Sequence, residues 1–428
     1  VSQNERRVLV VGTTPDYIDL LCRRYPGRAV FLTDPDMRAG AREPAPDEAT
    51  EILCDLNKPE ETLDRLNTHL LHRRIEVTGV ACYDCESMSL AAFLGRTLSL
   101  PYPSPGAVTS SRNKLIFKQL WRQAGLPCPK VGMVERETDA IDFLQHTEGP
   151  AVIKPLSGSG SELTFLVANE TECSAAYRTM RSRLADHPNV RMYGPLGGNG
   201  YDPRRVFAIE EYVDGTEYSC DFILDENRIE IIRIAEKIPA SSGPFGTTLA
   251  YIVPSKLPTG LDLDGFKLQL HEAARTLGLS RAMVMLDFIV RDNRAIMVEM
   301  TPRPGGDCLP FLLERCSGFD ILGAALDFAE GRFIKIPEPD QWRELVGVRL
   351  FAKRAGFIRE IDTSQIEKVA GVVDCYLKYG AGHEVVLPPD DYGSRILGHV
   401  IFQPSQSRAL EDQCAEIADG LVLVMDPS

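Results

Sequence analysis

The sequence predicts a multidomain chain of mixed α/β and α+β class, and three observations carry that prediction. Its 428 residues exceed what one ordinary hydrophobic core holds, so two to four domains are expected. Residues 7–33 read as strand, helix, strand, which is how an open α/β sheet begins. Residues 283–306 read as a β-hairpin with a carboxylate in each strand, then an arginine and a glycine-rich turn.

Composition narrows the classes. Hydrophobic residues make up 44% and charged residues 25%, as in ordinary globular proteins. A net charge of -14 argues against duplex nucleic acid or an anionic membrane surface as partner, but leaves room for a nucleotide, which needs only a local positive patch. There is no long apolar run, and the opening VSQNERR has no apolar stretch of the signal-peptide kind, so a cytoplasmic protein is expected. The 11 cysteines are scattered, with Cys82 and Cys85 the one close pair, and read as reduced thiols.

In chain order, RVLVVG at 7–12 is a strand ending in glycine, 16–25 a helix and 28–33 a second strand. The Gly12-Thr13-Thr14-Pro15 continuation is not a dinucleotide fingerprint. Strands follow at 52–56 and 77–83 with a helix between them, and the proline-rich run at 101–106 marks a first domain boundary. Lys114 opens a helix over 115–124. A strand at 151–153 delivers Lys154, then Ser157, Gly158, Ser159, Gly160 and Ser161. Backbone N–H groups of such a small-residue loop can wrap phosphate oxygens while the lysine adds a point charge. Because the lysine precedes the glycines, this is not a P-loop. Residues 206–213 form a strand carrying Glu210 and Glu211, and 216–224 with 228–234 form a hairpin, with Glu217 at its start and Lys237 near its end. Residues 241–246 read as a mobile loop. A helix over 268–277 leads into the 283–306 hairpin, and helices are expected at 311–316 and 321–328. Residues 345–428 read as a small mixed unit with strands at 346–352, 371–377, 395–403 and 421–425 and helices at 366–369 and 407–420.

The hairpin is the chemical centre. Side chains alternate along a strand, so a two-residue loop at Asp292-Asn293 sets Asp287 and Glu299 on opposite faces, whereas an odd loop over 292–294 pairs them directly. The odd loop is expected here. Paired carboxylates in an apolar sheet repel and need a cation, and two carboxylates completed by phosphate oxygens suit Mg²⁺. Arg303 follows, its planar fork suited to a carboxylate.

The ordered set Lys114, Lys154-Pro155, the 157–161 loop, Glu210-Glu211-Tyr212-Val213, Glu217, Asp287, Glu299 and Arg303-Pro304-Gly305-Gly306 resembles the ATP-grasp superfamily, in particular carboxylate–amine ligases of the L-amino-acid ligase (dipeptide synthase) type. The resemblance implies ATP and Mg²⁺, two ions with Mn²⁺ as a substitute, and an ADP-forming ligase that joins a carboxylate, here an amino acid, to an amine through an acyl phosphate. It implies that Lys114 and Lys154 meet ATP phosphates under the 157–161 loop; Lys237, at its strand end, is a further candidate for a phosphate contact against the alternative of a solvated charge. It further implies that Glu210, Glu211, Tyr212 and Val213 lie at the adenine, Glu217 at the ribose, and Asp287, Glu299 and Thr301 at the metal. Arg303, with Lys154, Glu299 and Gly306, is implied at the reacting carboxylate, and members are often dimeric.

The implied division is an N-terminal α/β domain (1–106), an ATP-grasp core (107–335) and a C-terminal α+β unit (336–428). Within the core, linking helices (107–148) lead to a small lid subdomain (149–215) and a large metal-binding subdomain (216–335). Two departures stand out. Thr301 occupies a position where the family often has Asn, and Glu162 follows Ser161 where a further glycine is usual. Transfer to a carrier-protein thiol or an unusual amine, and a non-catalytic ATP-binding module, remain open alternatives.

Overall fold

The computed structural model describes residues 4–195, 201–258 and 260–426. Its first sheet is parallel, ordered β3-β2-β1-β4, from β1 (Glu5–Val11), β2 (Ala29–Thr33), β3 (Glu51–Leu53) and β4 (Ile75–Ala81). Every residue of β2 is buried, as expected for a strand covered on both faces. The second sheet is antiparallel, ordered β5-β8-β6-β7, from β5 (Val131–Val134), β6 (Ala151–Pro155), β7 (Phe165–Val167) and β8 (Phe207–Glu211).

The central sheet has eight antiparallel strands, ordered β13-β12-β9-β10-β11-β14-β18-β16. They are β9 (Thr216–Asp225), β10 (Arg228–Pro239), β11 (Thr248–Val253), β12 (Arg281–Arg291), β13 (Arg294–Thr301), β14 (Leu345–Phe351), β16 (Val372–Leu377) and β18 (Ile396–Phe402). A three-stranded sheet of β15 (Gly356–Asp362), β17 (Glu384–Val385) and β19 (Val422–Asp426) stands beside it. Strands from the C-terminal stretch thus extend the sheet that carries the hairpin. One core cluster joins the first and central sheets, packing Val8, Phe31 and Tyr83 with Ile223, Ile232 and Leu312. No helix among the described residues is long and apolar enough to cross a membrane, and the cysteines are free thiols.

The hairpin corrects one expectation and keeps its consequence. The loop is the two-residue one: Arg291 pairs Arg294, and Asp292 and Asn293 have φ of 52° and 58°, the left-handed pair of a type I′ turn. Yet Asp287 still pairs Glu299, because the register shifts by one between Asp287 and Phe288. Val298 is the extra residue, and a β-bulge supplies the parity change expected from an odd loop.

Candidate active site

The cleft between these sheets has a volume of about 1210 Å³, and the sequence-predicted residues converge on it. Lys114, Lys154, Ser157, Gly158, Ser159, Gly160, Ser161, Glu210, Glu211, Tyr212, Val213, Glu217, Lys237, Asp287, Glu299, Arg303 and Gly306 all line it. Thr301 does not; it is buried at the end of β13 opposite Met285, and its carbonyl accepts from the Arg303 amide.

Lys114 begins a helix (Lys114–Gln123) whose preceding Asn113 caps the Leu115 and Ile116 amides. The cap aims the lysine into the cleft. Its Nζ donates to the Gly158 carbonyl at 3.1 Å and stands 3.3 Å from Glu299 Oε1, tying the small-residue loop to the hairpin. Gly158 and Gly160 have φ of 143° and 64°, conformations a side chain strains. Ser157 Oγ donates to Met192 O at 2.7 Å, and Ser161 Oγ donates to Gly246 O at 2.9 Å. The two loops expected to cover the site therefore touch. Glu162, the acid following the loop, also lines the cleft and is held by neighbours: it accepts from Tyr193 Oη and lies 3.3 Å from His187 Nε2.

Glu210 on β8 is buried between two lysines, Lys154 at 2.8 Å and Lys118 at 3.1 Å. Its Oε1, the oxygen beside Lys118, is closed off from solvent. Lys118, unremarkable within an amphipathic helix, is the partner of Glu210 that sequence reasoning missed. It also donates to the carbonyl of Val298, the bulge residue, and so links the lid acid to the carboxylate hairpin. Burial pulls the Lys118 ammonium down to about 8, against the opposing pull of Glu210. The Glu211 and Tyr212 amides are already bonded to Lys130 O and Pro150 O, which leaves Val213 next in line at the cleft.

On the hairpin, Lys237 of β10 bridges Glu217 and Asp287, contacting the second at 3.4 Å. The sequence suggested a phosphate contact for Lys237; here both carboxylates already hold it. Burial pushes the Asp287 carboxyl up, Lys237 opposes this, and Glu217 and Glu299 add to the rise. Burial works the same way on Glu299, but Lys114, Lys154 and Lys118 together hold its carboxyl below the usual range. Among the described residues no group of three His, Cys, Asp or Glu side chains is placed to cage a metal. The crowded Asp287–Glu299 pair fits Mg²⁺ instead, which commonly takes one or two carboxylates and completes its shell with phosphate and water.

Arg303 stands beyond the hairpin, its Nε donating to Cys85 Sγ at 3.0 Å and Nη1 to Pro304 O at 2.6 Å. Further along, Asp307 pairs with Arg349 of β14 at 2.5 Å. Tyr17, Phe311, Tyr376 and His399 close that end, the Phe311 ring lying 5.3 Å from His399 and 6.1 Å from Tyr376.

Comparison with known proteins agrees with this geometry. Residues 147–310 match the ATP-grasp domain family. D-alanine–D-alanine ligase of Acidovorax ebreus is 26% identical over 256 residues, covering 55% of this chain and 70% of that enzyme. Human carnosine synthase 1 is 26% identical over 309 residues, covering 68% of this chain but only 36% of the larger protein. In fold, the chain is similar to the L-amino acid ligase of Bacillus licheniformis, with a TM-score of 0.76, 16% identity, and coverage of 99% and 100% of the two chains. Residues 147–310 thus match the ATP-grasp domain, and the two curated relatives named here, D-alanine–D-alanine ligase and carnosine synthase 1, are ligases by name.

Proposed function

We propose that the chain is an ADP-forming ligase that joins the carboxylate of an amino acid to an amine. The observation that carries this reading is the convergence of Asp287, Glu299, Lys114, Lys154 and Arg303 on one cleft. An ionised carboxylate resists an amine because its carbon is electron-rich and its leaving group would be oxide. ATP with Mg²⁺ supplies the phosphoryl group that turns that oxygen into a leaving phosphate.

The chain's own residues do the rest. Asp287 and Glu299 would hold Mg²⁺, and Lys114 and Lys154 would offset the charge that spreads over the phosphoryl oxygens. Glu210, Glu211, Tyr212 and Val213 would line the adenine side, and Glu217 would meet the ribose. Arg303 exchanges its Cys85 contact for the substrate carboxylate and steadies it through activation. The amine enters from the Asp307–Arg349 end. The Ser161–Gly246 bridge keeps water from the activated carbonyl.

Hydroxylamine trapping tests the reading. With Mg-ATP and each protein amino acid in turn, the reading expects a hydroxamate and stoichiometric ADP for at least one donor. ADP binding without hydroxamate from any donor favours the non-catalytic module.

A further inference from the structure

We propose that the buried ion pair Asp221–Arg233 is a positioning device for Arg303, acting through the single peptide plane between Pro304 and Gly305. Asp221 on β9 pairs with Arg233 on β10 in register, with Nε 2.8 Å from Oδ2. The Arg233 side chain is 0% exposed and that of Asp221 2%, and neither lines the cleft, so neither reaches a substrate. Arg233 is fixed from its other side by Ser219, whose carbonyl accepts from Nη1 at 3.2 Å and whose Oγ accepts from Nη2 at 3.3 Å.

The free edge of Asp221 has one further partner. Its Oδ1 accepts from the Gly305 amide at 2.9 Å. The carbonyl of the same peptide unit, Pro304 O, accepts from Arg303 Nη1 at 2.6 Å. One planar group is therefore held by a carboxylate at its N–H end and holds a guanidinium at its C=O end. Since the unit is rigid, anchoring one end aims the other. Polarisation runs the same way, because the carboxylate draws on the N–H and strengthens the carbonyl as an acceptor. Gly305 is required at this point: a Cβ there would sit 2.5 Å from Arg233 Nη2 and 3.1 Å from both Asp221 oxygens.

Stability alone does not account for the pair. A buried ion pair is frequently no more stabilising than apolar residues of like volume, because desolvating both charges offsets their attraction. Burial does push the Asp221 carboxyl up, against the pull of Arg233. What the pair provides that an apolar pair cannot is a directed acceptor for one chosen amide.

The inference rests on Arg303 meeting the reacting carboxylate, and the test separates the two claims. In Asp221→Asn the amide oxygen turns to Arg233, so the NH₂ group meets the Gly305 N–H and the anchor fails. The probe is hydroxamate formation with Mg-ATP, using the amino acid that gives wild type its strongest signal. The KM for that amino acid is expected to rise about tenfold to a hundredfold, the size of effect that misplacing a reacting group produces, with the ADP dissociation constant unchanged within about twofold. In an Arg303→Lys background the same substitution is expected to add nothing, because the aimed group is gone. If Asp221→Asn does not fold, the apolar pair Asp221→Leu with Arg233→Met, which removes both charges and the acceptor for the Gly305 amide, carries the same expectation. Additive effects with Arg303→Lys, or equal losses in ADP and amino-acid affinity, overturn the positioning role and leave a structural pair. An Arg303→Lys protein with unaltered amino-acid KM overturns both the role of Arg303 and the relay built on it.

Discussion

Replacing Lys118 by Met removes one of the two cations around Glu210 and the donor that holds the Val298 carbonyl at the bulge. Both side chains of the Lys118–Glu210 pair are almost wholly enclosed, at 0% and 3% exposure, so the carboxylate left behind cannot recover water. Breaking a buried pair on one side costs about 3–5 kcal/mol. Lys154 stays 2.8 Å from the other oxygen, which places the expected loss near the lower end, about 3 kcal/mol. For a cooperative unit of ordinary domain size that corresponds to a melting shift of roughly 6–12 °C. Scanning calorimetry of wild type, Lys118→Met, Glu210→Gln and the double variant reads it directly. Glu210→Gln added to Lys118→Met is expected to restore most of the loss, because the stranded charge is gone. Mg-ADP affinity is not expected to return, since the bulge carbonyl remains unheld. A Lys118→Met protein within about 1 kcal/mol of wild type, the upper range for an exposed pair, with no recovery on adding Glu210→Gln, would refute the reasoning.

Other outcomes follow from the same geometry. Glu299→Gln is expected to lower ADP release by about a hundredfold or more, the scale of losing one preorganised electrostatic contact, and chelation of divalent metal should bring wild type to the same floor; steady-state ADP assays check both. Glu217→Gln weakens the acceptor expected at the ribose and should raise the KM for ATP about tenfold, in keeping with roughly 1.5–3 kcal/mol for hydrogen bonds to charged groups. Ser161→Ala breaks the bridge to Gly246 and should increase amine-independent ATP hydrolysis in the presence of the carboxylate, seen as phosphate release without product. Burial holds the His399 imidazole below its usual range, opposed by Asp307 and Asp374, so it folds neutral and takes up a proton on unfolding. Its contribution is complete above about pH 6.5 and is lost as pH falls through the lower folded value, with a slope of at most about 1.4 kcal/mol per pH unit. Calorimetry of His399→Gln should lack that acid-side slope.

The sequence made the cleft largely legible because its parts are local patterns. A strand that ends in Lys154 and a small-residue loop, or a hairpin with one acid in each strand, can be read without knowing what packs against it. Glu210 and Glu211 were visible as acids in an apolar strand, but which was buried depended on Lys118 arriving from a helix far away in sequence. Lys118 itself looks like any charged residue of an amphipathic helix, and only the approach of β8 and the bulge gives it work. Asp221 and Arg233 were hidden in the same way, since their partner is an amide of a loop 84 residues on from Asp221. The bulge at Val298 had no sequence mark at all. The turn Asp292-Asn293 was readable as a two-residue loop, and the pairing of Asp287 with Glu299 was expected for the wrong local reason. Strand β15 went unread because arginine and acids interrupt its alternation, and β11 because it sits between two proline-marked turns.

The central claim is that this cleft spends ATP to join a carboxylate to an amine. The most direct measurement is mass spectrometry of reactions containing Mg-ATP and amino acids singly and in pairs, with ADP measured in the same wells and Glu299→Ala as the control. The account predicts ADP release that depends on the pair, together with a new mass equal to the two amino acids minus water, both absent from the control. ADP released at the same rate with and without every pair, or no new mass in any well despite measurable ADP binding, would contradict it.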